Sequence, residues 1–399
     1  MITVIGYDGS ALTLRAAERL ARATLVVGAQ RLLDACPPPP AAATIPFSEM
    51  ADVLAGLRDH VGESVVVASG DPGFFGIVRA LRAYGLTCEV LPATSSVSQA
   101  FARAGIPWDD AVVVSAHGRG NRDLRTAVNV ARAHPKVAIL CGPGATAREI
   151  GAQLLDTDRR LVVAERLCLA DESVVECSPE EAAARDWDEL AVVLVLDDGR
   201  AIGERKAVMT ARRTPSSWAL PEAGFDYRDS QITKAEVRAL VLARLGPGLG
   251  DLVWDIGAGS GSVAIECARL GAAVVAIEKD PDQVRRIVAN AVAHSVDVRV
   301  VEGAAPDALH GLPEPDAIFV GGSGPAFLEV LSVAAARARR TVVVALAAIE
   351  RVVPAQALLV DAGYAVETVL LQASRLTGVG DLHRLAAQNP VFVVSGVRQ

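Results

Sequence analysis

The residues best placed to do chemistry sit in short glycine-rich loops that follow apolar runs. The plainest case is Asp255-Ile256-Gly257-Ala258-Gly259-Ser260-Gly261, which comes after Leu252-Val253-Trp254 and before the apolar stretch Ser262 to Leu270. Glycines there let the backbone turn sharply and come close to a ligand, and the helix start that follows offers free N–H groups. Two ligand chemistries use such a loop. A pyrophosphate site wants G-x-G-x-x-G or G-x-G-x-x-A, and the sixth position from Gly257 is Ser262. The loop fits D-x-G-x-G-x-G better, and Asp255, two residues before the first glycine, would repel a pyrophosphate. Glu278 closes the next apolar run, Ala273 to Ile277, 21 residues after Gly257. A carboxylate at that point can accept both hydroxyls of a ribose. A bare strand-to-helix turn is the competing reading, and it leaves the register of Asp255 and Glu278 unexplained.

Three loops in the first half have the same design. Ser69-Gly70-Asp71-Pro72-Gly73-Phe74-Phe75-Gly76 follows Val65-Val66-Val67-Ala68, Pro92-Ala93-Thr94-Ser95-Ser96 follows the next run, and Ser115-Ala116-His117-Gly118-Arg119 the one after. Open α/β sheets bind ligands at the carboxyl ends of their strands, so the three loops are expected to converge on one cleft. Taken alone, the Gly-Asp-Pro segment is equally a plain β-turn. His117 is a candidate general base or proton donor, with a structural histidine as the alternative. Arg119, Arg122 and Arg125 form either a carboxylate-binding edge or a solvated helix face.

The elements that must carry these loops alternate. Apolar runs at 2–6, 24–28, 64–69, 88–92 and 111–116 are separated by helical stretches near 11–22, 48–59, 74–84, 96–104 and 122–133, and further runs lie at 137–141, 161–167 and 190–196. Such near-continuous apolar strands between helices predict a mostly parallel sheet covered on both faces. Periodicity is lost from about 198 to 229, where turn residues gather around Arg212-Arg213-Thr214-Pro215. The chain restarts with a helix at 233–245, for which Thr233 and Glu236 have capping-box spacing. Runs near 251–256, 273–278, 297–301, 316–321, 341–346, 364–371 and 390–395 then predict a doubly wound sheet with an antiparallel edge strand. Glu266, in the helix after the glycine loop, reads as a solvated or locally bonded acid.

Composition limits the functions these elements can serve. The 399 residues are enough for about two domains. Aromatics make up 4% and the net charge is −8, which disfavours stacking platforms and phosphate-backbone binding. Residues 1–200 carry a balance of −7 and residues 201–399 a balance of −1. The six cysteines have no C-x-x-C spacing, so neither a metal site nor a disulfide framework is expected. The chain enters a strand-like run at once, and no apolar stretch reaches the length of a membrane span. A cytoplasmic protein without membrane association is expected.

The loop Asp255 to Gly261 resembles motif I of the class I S-adenosylmethionine methyltransferases. The segments 69–76, Ser95-Ser96 and Gly105-Ile106-Pro107-Trp108-Asp109-Asp110, running into 115–119, resemble the tetrapyrrole methylases. Ile232-Thr233-Lys234-Ala235-Glu236-Val237-Arg238, with motif I and Phe319-Val320-Gly321-Gly322-Ser323-Gly324, resembles the C15-methylating, decarboxylating precorrin methyltransferases. Fused in this order, the halves are similar to the bifunctional precorrin methyltransferases of cobalamin biosynthesis.

The resemblance implies a two-lobed α/β tetrapyrrole methylase domain at 1–200, a linker at 201–224, and a Rossmann-like class I domain with a mixed seven-stranded sheet at 225–399. It implies S-adenosylmethionine at two sites, no metal, and a precorrin substrate methylated at C5 by the first domain and at C15 by the second. The ring C acetate of the precorrin would lose CO2. The cofactor-binding residues it implies are Gly70, Asp71, Ser95 and Ser96 in the first domain. In the second they are Thr233, Asp255, Gly257, Ala258, Gly259, Ser260, Gly261, Glu278, Ala304, Ala305 and Gly321. His117 and Arg119 are the candidate catalytic residues. After the first strand the family has a G-x-G-x-x-G-like loop, whereas this chain reads Val4-Ile5-Gly6-Tyr7-Asp8-Gly9. This departure weakens Gly6, Asp8 and Gly9 as cofactor contacts and leaves the tetrapyrrole cleft as the alternative place for them. Further copies of this chain are expected in a homo-oligomer, and nucleic acid is not a partner. The competing reading is an RNA or protein methyltransferase with an N-terminal recognition module. An acidic protein that binds a polycarboxylate must also gather its arginines locally at the two clefts.

Overall fold

The structure is a computed structural model that describes residues 1–399 except 48, 118–120, 170, 203–216, 229–231 and 322–323. It divides into two compact units, Met1–Leu124 with Pro135–Met209, and Arg125–His134 with Thr210–Gln399.

The first unit holds two five-stranded sheets. One is built from β1 (Ile2–Tyr7), β2 (Leu25–Gly28), β3 (Ala43–Pro46), β4 (Ser64–Ser69) and β5 (Cys88–Leu91) in the order β3-β2-β4-β1-β5. All its pairings are parallel. The other is built from β6 (Val112–Ser115), β7 (Lys136–Leu140), β8 (Arg160–Glu165), β9 (Ser173–Cys177) and β10 (Ala191–Leu196) in the order β6-β7-β10-β8-β9. Helices α1 (Leu14–Ala21), α2 (Gln30–Ala35), α3 (Met50–Asp59), α4 (Val78–Ala83), α5 (Ser96–Ala104), α6 (Asn121–Ala133), α7 (Ala147–Leu154) and α8 (Pro179–Ala183) lie between the strands in sequence. The three inner strands β2, β4 and β1 each feed both faces of the first sheet. Val4 and Val66 enter one core while Ile5, Val65 and Val67 enter the other, as the two-residue repeat of a strand requires.

The second sheet departs from the parallel expectation. Only β6 and β7 run parallel, and β10 lies antiparallel between β7 and β8. A strand buried on both faces reads as an apolar run whichever way it points, so its direction is not written in its pattern.

The second unit contains α9 (Ala235–Leu245), β11 (Leu252–Ile256), α10 (Ser262–Arg269), β12 (Ala273–Glu278), α11 (Pro281–Ala293), β13 (Arg299–Glu302), β14 (Ala317–Val320), α12 (Phe327–Arg337), β15 (Thr341–Leu346) and α13 (Val352–Asp361). It ends with β16 (Tyr364–Leu371), β17 (Ser374–Val379), β18 (Leu382–Ala387) and β19 (Val391–Arg398). The seven-stranded sheet has the order β13-β12-β11-β14-β15-β19-β16. The antiparallel strand, β19, lies between β15 and β16 rather than at the edge. β17 and β18 form a separate hairpin that the apolar pattern did not announce. Alternation again sorts the core: Leu252, Trp254 and Ile256 face one layer, and Val253 faces the layer containing Val263, Ala264 and Cys267 of α10.

One local expectation is corrected and another is narrowed. α9 begins at Ala235 with Lys234 as N-cap, so Thr233 lies outside the cap and Glu236 falls one place short of the box position. The free amide of Ala235 is instead taken by Glu222 Oε1 at 3.1 Å. For Glu266 the locally bonded alternative holds and the solvated one does not, since it pairs with Arg269 three residues on at 3.1 Å. It is fully buried against Arg238 (3.3 Å) and accepts the amides of Ala219 (3.2 Å) and Leu220 (2.6 Å). These bonds hold residues 219–220 onto α10.

Candidate active site

The larger pocket lies at the carboxyl ends of β11, β12, β13 and β14. It has a volume of about 760 Å³. Nine of the expected cofactor residues share its wall: Thr233, Gly257, Ala258, Gly259, Ser260, Glu278, Ala304, Ala305 and Gly321. Parallel pairing produces this convergence, because register places Ile256 beside Ile277 and Val320, and Glu278 beside Glu302. The loop between β11 and α10 then follows from its glycines. Gly257 has φ +72°, and a Cβ there would lie 2.3 Å from the carbonyl oxygen of Gly321. Gly259 has φ +57° and would place a Cβ in open space.

Glu278 is held rigidly at the mouth of this loop. One carboxylate oxygen accepts the amide of Gly259 at 2.8 Å, and the other accepts the amides of Lys279 (2.9 Å) and Asp280 (3.0 Å). The charge is fixed at a strand end, with acceptor capacity left for a ligand's hydroxyl groups.

Asp255 and Gly261 are not on the wall. Asp255 belongs to the β11 face that meets α10, where one of its oxygens accepts the amide of Ala264 at 2.9 Å. The N-cap of α10 is Gly261, which has no side chain to serve the first turn, so Asp255 supplies the missing acceptor from the neighbouring strand. Burial raises its carboxyl pKa to about 7, and its second oxygen has no hydrogen-bond partner among the described residues.

Sequence reasoning missed the cations around this pocket. Arg228 lines it and is paired with Asp280 at 3.0 Å, and Lys234 and Lys279 line it as well. It also missed Arg375 on β17. That guanidinium binds both oxygens of Glu222 (2.9 and 3.0 Å) and both of Glu236 (2.9 and 2.8 Å). The Arg375 guanidinium holds the Glu222 carboxyl down at about 2. Because Glu222 caps α9, this cluster fixes the segment that presents Thr233 and Lys234 to the pocket. A double carboxylate grip across 139 and 153 positions of sequence has no local signature.

In the first unit a cavity of about 70 Å³ lies at the ends of β1, β4 and β5. Gly70 and Ser96 line it together with Asp8, Gly9, Arg31 and Thr94. Its enclosed part holds a carboxylate-sized group, and anything larger extends beyond it. Asp71 and Ser95 are used locally. Asp71 accepts the amide of Gly73 at 2.8 Å, and Ser95 caps α5 through the amide of Ser98 at 3.1 Å. Asp8 accepts Ser10 and the amide of Thr94 (3.1 Å), and its hydrogen bonds, led by that from the Ser10 hydroxyl, hold its carboxyl below the usual value.

The third loop does not join this cavity. β6 belongs to the second sheet, and His117 lines a different depression with Trp187 and Asp188, its Nδ1 bonded to the Cys141 carbonyl. Arg119 lies outside the described residues, as do Gly118, Gly322 and Ser323. Arg125 is engaged in an ion pair. The expected clustering of arginines is also corrected. Among the described residues each of the two pockets has one arginine in its wall, Arg228 in the larger and Arg31 in the smaller.

A mixed seven-stranded sheet, a glycine loop after its interior strand β11 and a fixed acid at the end of the neighbouring β12 define an S-adenosylmethionine-dependent methyltransferase. The pocket suits that cofactor: Gly257 and Gly321 touch backbone to backbone, Gly259 leaves open space, and Glu278 faces in. Residues 5–183 match the tetrapyrrole (corrin/porphyrin) methylases, and residues 225–398 match the precorrin methyltransferase domain. Over 346 residues the chain is 38% identical to the precorrin-6Y C(5,15)-methyltransferase [decarboxylating] of a Sinorhizobium species, covering 80% of this chain and 77% of that protein. It is 33% identical to the enzyme of the same name from Mycobacterium tuberculosis, with 82% of each covered. A crystal structure of precorrin-6Y C5,15-methyltransferase from Geobacter metallireducens is 31% identical, covers 45% of this chain and 97% of its own, and superposes with a TM-score of 0.42. The chain belongs to the precorrin-6Y C(5,15)-methyltransferase (decarboxylating) family.

Proposed function

We propose that this chain methylates precorrin-6Y at C5 and C15 and removes the ring C acetate carboxyl as CO2, giving precorrin-8X in cobalamin biosynthesis. The second unit carries out C15 methylation and decarboxylation, and the first carries out C5 methylation. Each binds one S-adenosylmethionine. The reading extends to a cytoplasmic homo-oligomer that takes no nucleic acid. The observation that carries it is the gathering of Gly257–Ser260, Glu278, Ala304–Ala305 and Gly321 on one wall, in a chain whose relatives share both halves.

S-adenosylmethionine supplies a methyl carbon made electrophilic by its sulfonium. A meso carbon of a reduced tetrapyrrole is already electron-rich, so the chain needs no activated nucleophile of its own. Its task is alignment and exclusion of water. Glu278 holds the ribose hydroxyls, and the Gly257–Gly321 contact keeps bulk away from the reacting end. Lys234, Lys279 and Arg228 stand where substrate carboxylates arrive. The pair of electrons released with CO2 passes into the conjugated ring, and a proton taken up at the former acetate carbon completes the methyl group. The second unit therefore has to hold the carboxylate out of water while that proton reaches the carbon. His117 and Arg119 remain candidates for positioning the C5 side.

The test is incubation of the purified chain with precorrin-6Y and S-adenosylmethionine, followed by product mass. Gain of two methyl groups with loss of one CO2 is expected. A product that keeps its carboxyl, or gains no methyl, overturns the reading.

A further inference from the structure

The arginines of the first unit are largely spent on acids. Arg15 and Arg19 share Glu89, Arg103 holds Glu172, and Arg166 holds Asp171 and Asp188. Arg31, on α2, is different. Among the described residues its guanidinium makes one hydrogen bond, from Nη2 to Ser69 Oγ at 2.9 Å, and no ion pair. Asp188 attracts it through charge without a hydrogen bond, and the neighbouring acids spend their oxygens on other donors. Both Asp8 oxygens are taken by Ser10 and Thr94. Asp188 spends one oxygen on Arg166 (3.0 Å) and the other on the amide of Leu190 (2.7 Å).

Arg31 also stands in the wall of the 70 Å³ cavity, beside Gly70, Thr94 and Ser96. The Ser69 bond steadies one edge of the guanidinium and leaves further N–H groups of the planar fork free. That fork matches a carboxylate bidentately, and the enclosed space fits a group of that size.

We propose that Arg31 is a carboxylate-binding residue of the N-terminal cavity, receiving an acid group of the ligand bound there. This rests on the first unit being the C5 methyltransferase. Two sources carry that chemistry, a side-chain acid of the tetrapyrrole and the amino-acid carboxylate of the cofactor.

The experiment compares the full wild-type chain with Arg31→Met and Arg31→Lys, following C5 and C15 methylation separately while precorrin-6Y and S-adenosylmethionine are each varied. Loss of a charged hydrogen bond predicts a KM raised about 10- to 100-fold at the C5 step, with the C15 step unchanged. A rise for precorrin-6Y alone assigns the tetrapyrrole acid, and a rise for S-adenosylmethionine alone assigns the cofactor acid. Arg31→Lys keeps the charge without the fork and falls between the wild type and Arg31→Met. If both KM values at the C5 step stay within about 2-fold in Arg31→Met, the proposal is overturned. The same holds if only kcat falls in both variants. Absence of C5 methylation in the wild-type chain overturns the underlying reading instead. Substrate whose side-chain acids are amides is the cross-check: it weakens C5-step binding in the wild type and has no further effect in Arg31→Met if the acid is the tetrapyrrole's.

Discussion

Asp255 holds an acid where water does not reach, and folding favours its protonated form. Its pKa rises from 3.8 to about 7 because burial penalises the charge, with a smaller contribution from Glu278. A raised pKa stabilises fully only below the unfolded value and loses that contribution as pH climbs through about 7. Asp255→Asn keeps an acceptor for the Ala264 amide and removes the charge. Its melting temperature relative to the wild type is expected to improve by about 5 °C between pH 5 and pH 8.5. An offset that does not change with pH, read by calorimetric melts across that range, would show that the carboxyl is not the titrating group. Gly259 gives a cleaner functional test. An L-residue at φ +57° costs about 1–2 kcal/mol, which a unit with this core absorbs, while a long side chain fills the pocket. Gly259→Arg is expected to abolish C15 methylation and decarboxylation while leaving C5 methylation within about 3-fold of wild type. Product masses resolve the two steps.

At the scale of elements, the start of α9 is set from a distance. Glu222 caps it, Arg375 on β17 grips Glu222 and Glu236, and Thr233 and Lys234 are carried on the result. Removing the cation leaves Glu222 nearly buried and unpaired. Arg375→Met is expected to destabilise the second unit by about 1–3 kcal/mol, discounted because the arginine side chain is partly exposed. It should also weaken binding of S-adenosylhomocysteine there several-fold. Urea melts and calorimetry read the two effects, and a loss of stability without loss of binding would leave the rim independent of the cluster. In the wild type the contribution of Glu222 is present above pH 4.5 and is lost as pH falls through about 2. Nothing in the sequence around Thr233 could reveal this cap, because both partners come from other elements. The glycine loop and Glu278 were legible for the opposite reason: parallel register forces residues at successive strand ends together. The same logic misled for His117, since apolar runs carry no sign that β6 opens a new sheet. The β17–β18 hairpin stayed hidden because its apolar residues, such as Leu376 and Leu385, face solvent rather than a core.

At the scale of the whole molecule, each unit has its own cores and its own pocket, and the charge of the chain does not favour an acidic substrate. A net charge of −8 repels a polycarboxylate at long range, so attraction has to come from a few cations at the pocket walls. The structure places Arg228, Lys234 and Lys279 at one wall and Arg31 at the other, which is sparser than a basic cleft and suits recognition of individual acid groups. If each pocket takes one cofactor, as proposed, binding at one is expected not to depend on the other. Titration calorimetry with S-adenosylhomocysteine should therefore give about two equivalents per wild-type chain and about one for Gly259→Arg, with the remaining affinity unchanged within experimental scatter. One equivalent in the wild-type chain, abolished by Gly259→Arg, would mean that the first unit binds no cofactor and that C5 methylation draws on the pocket of the second. A remaining site whose affinity shifts in Gly259→Arg would mean that the two units are energetically coupled.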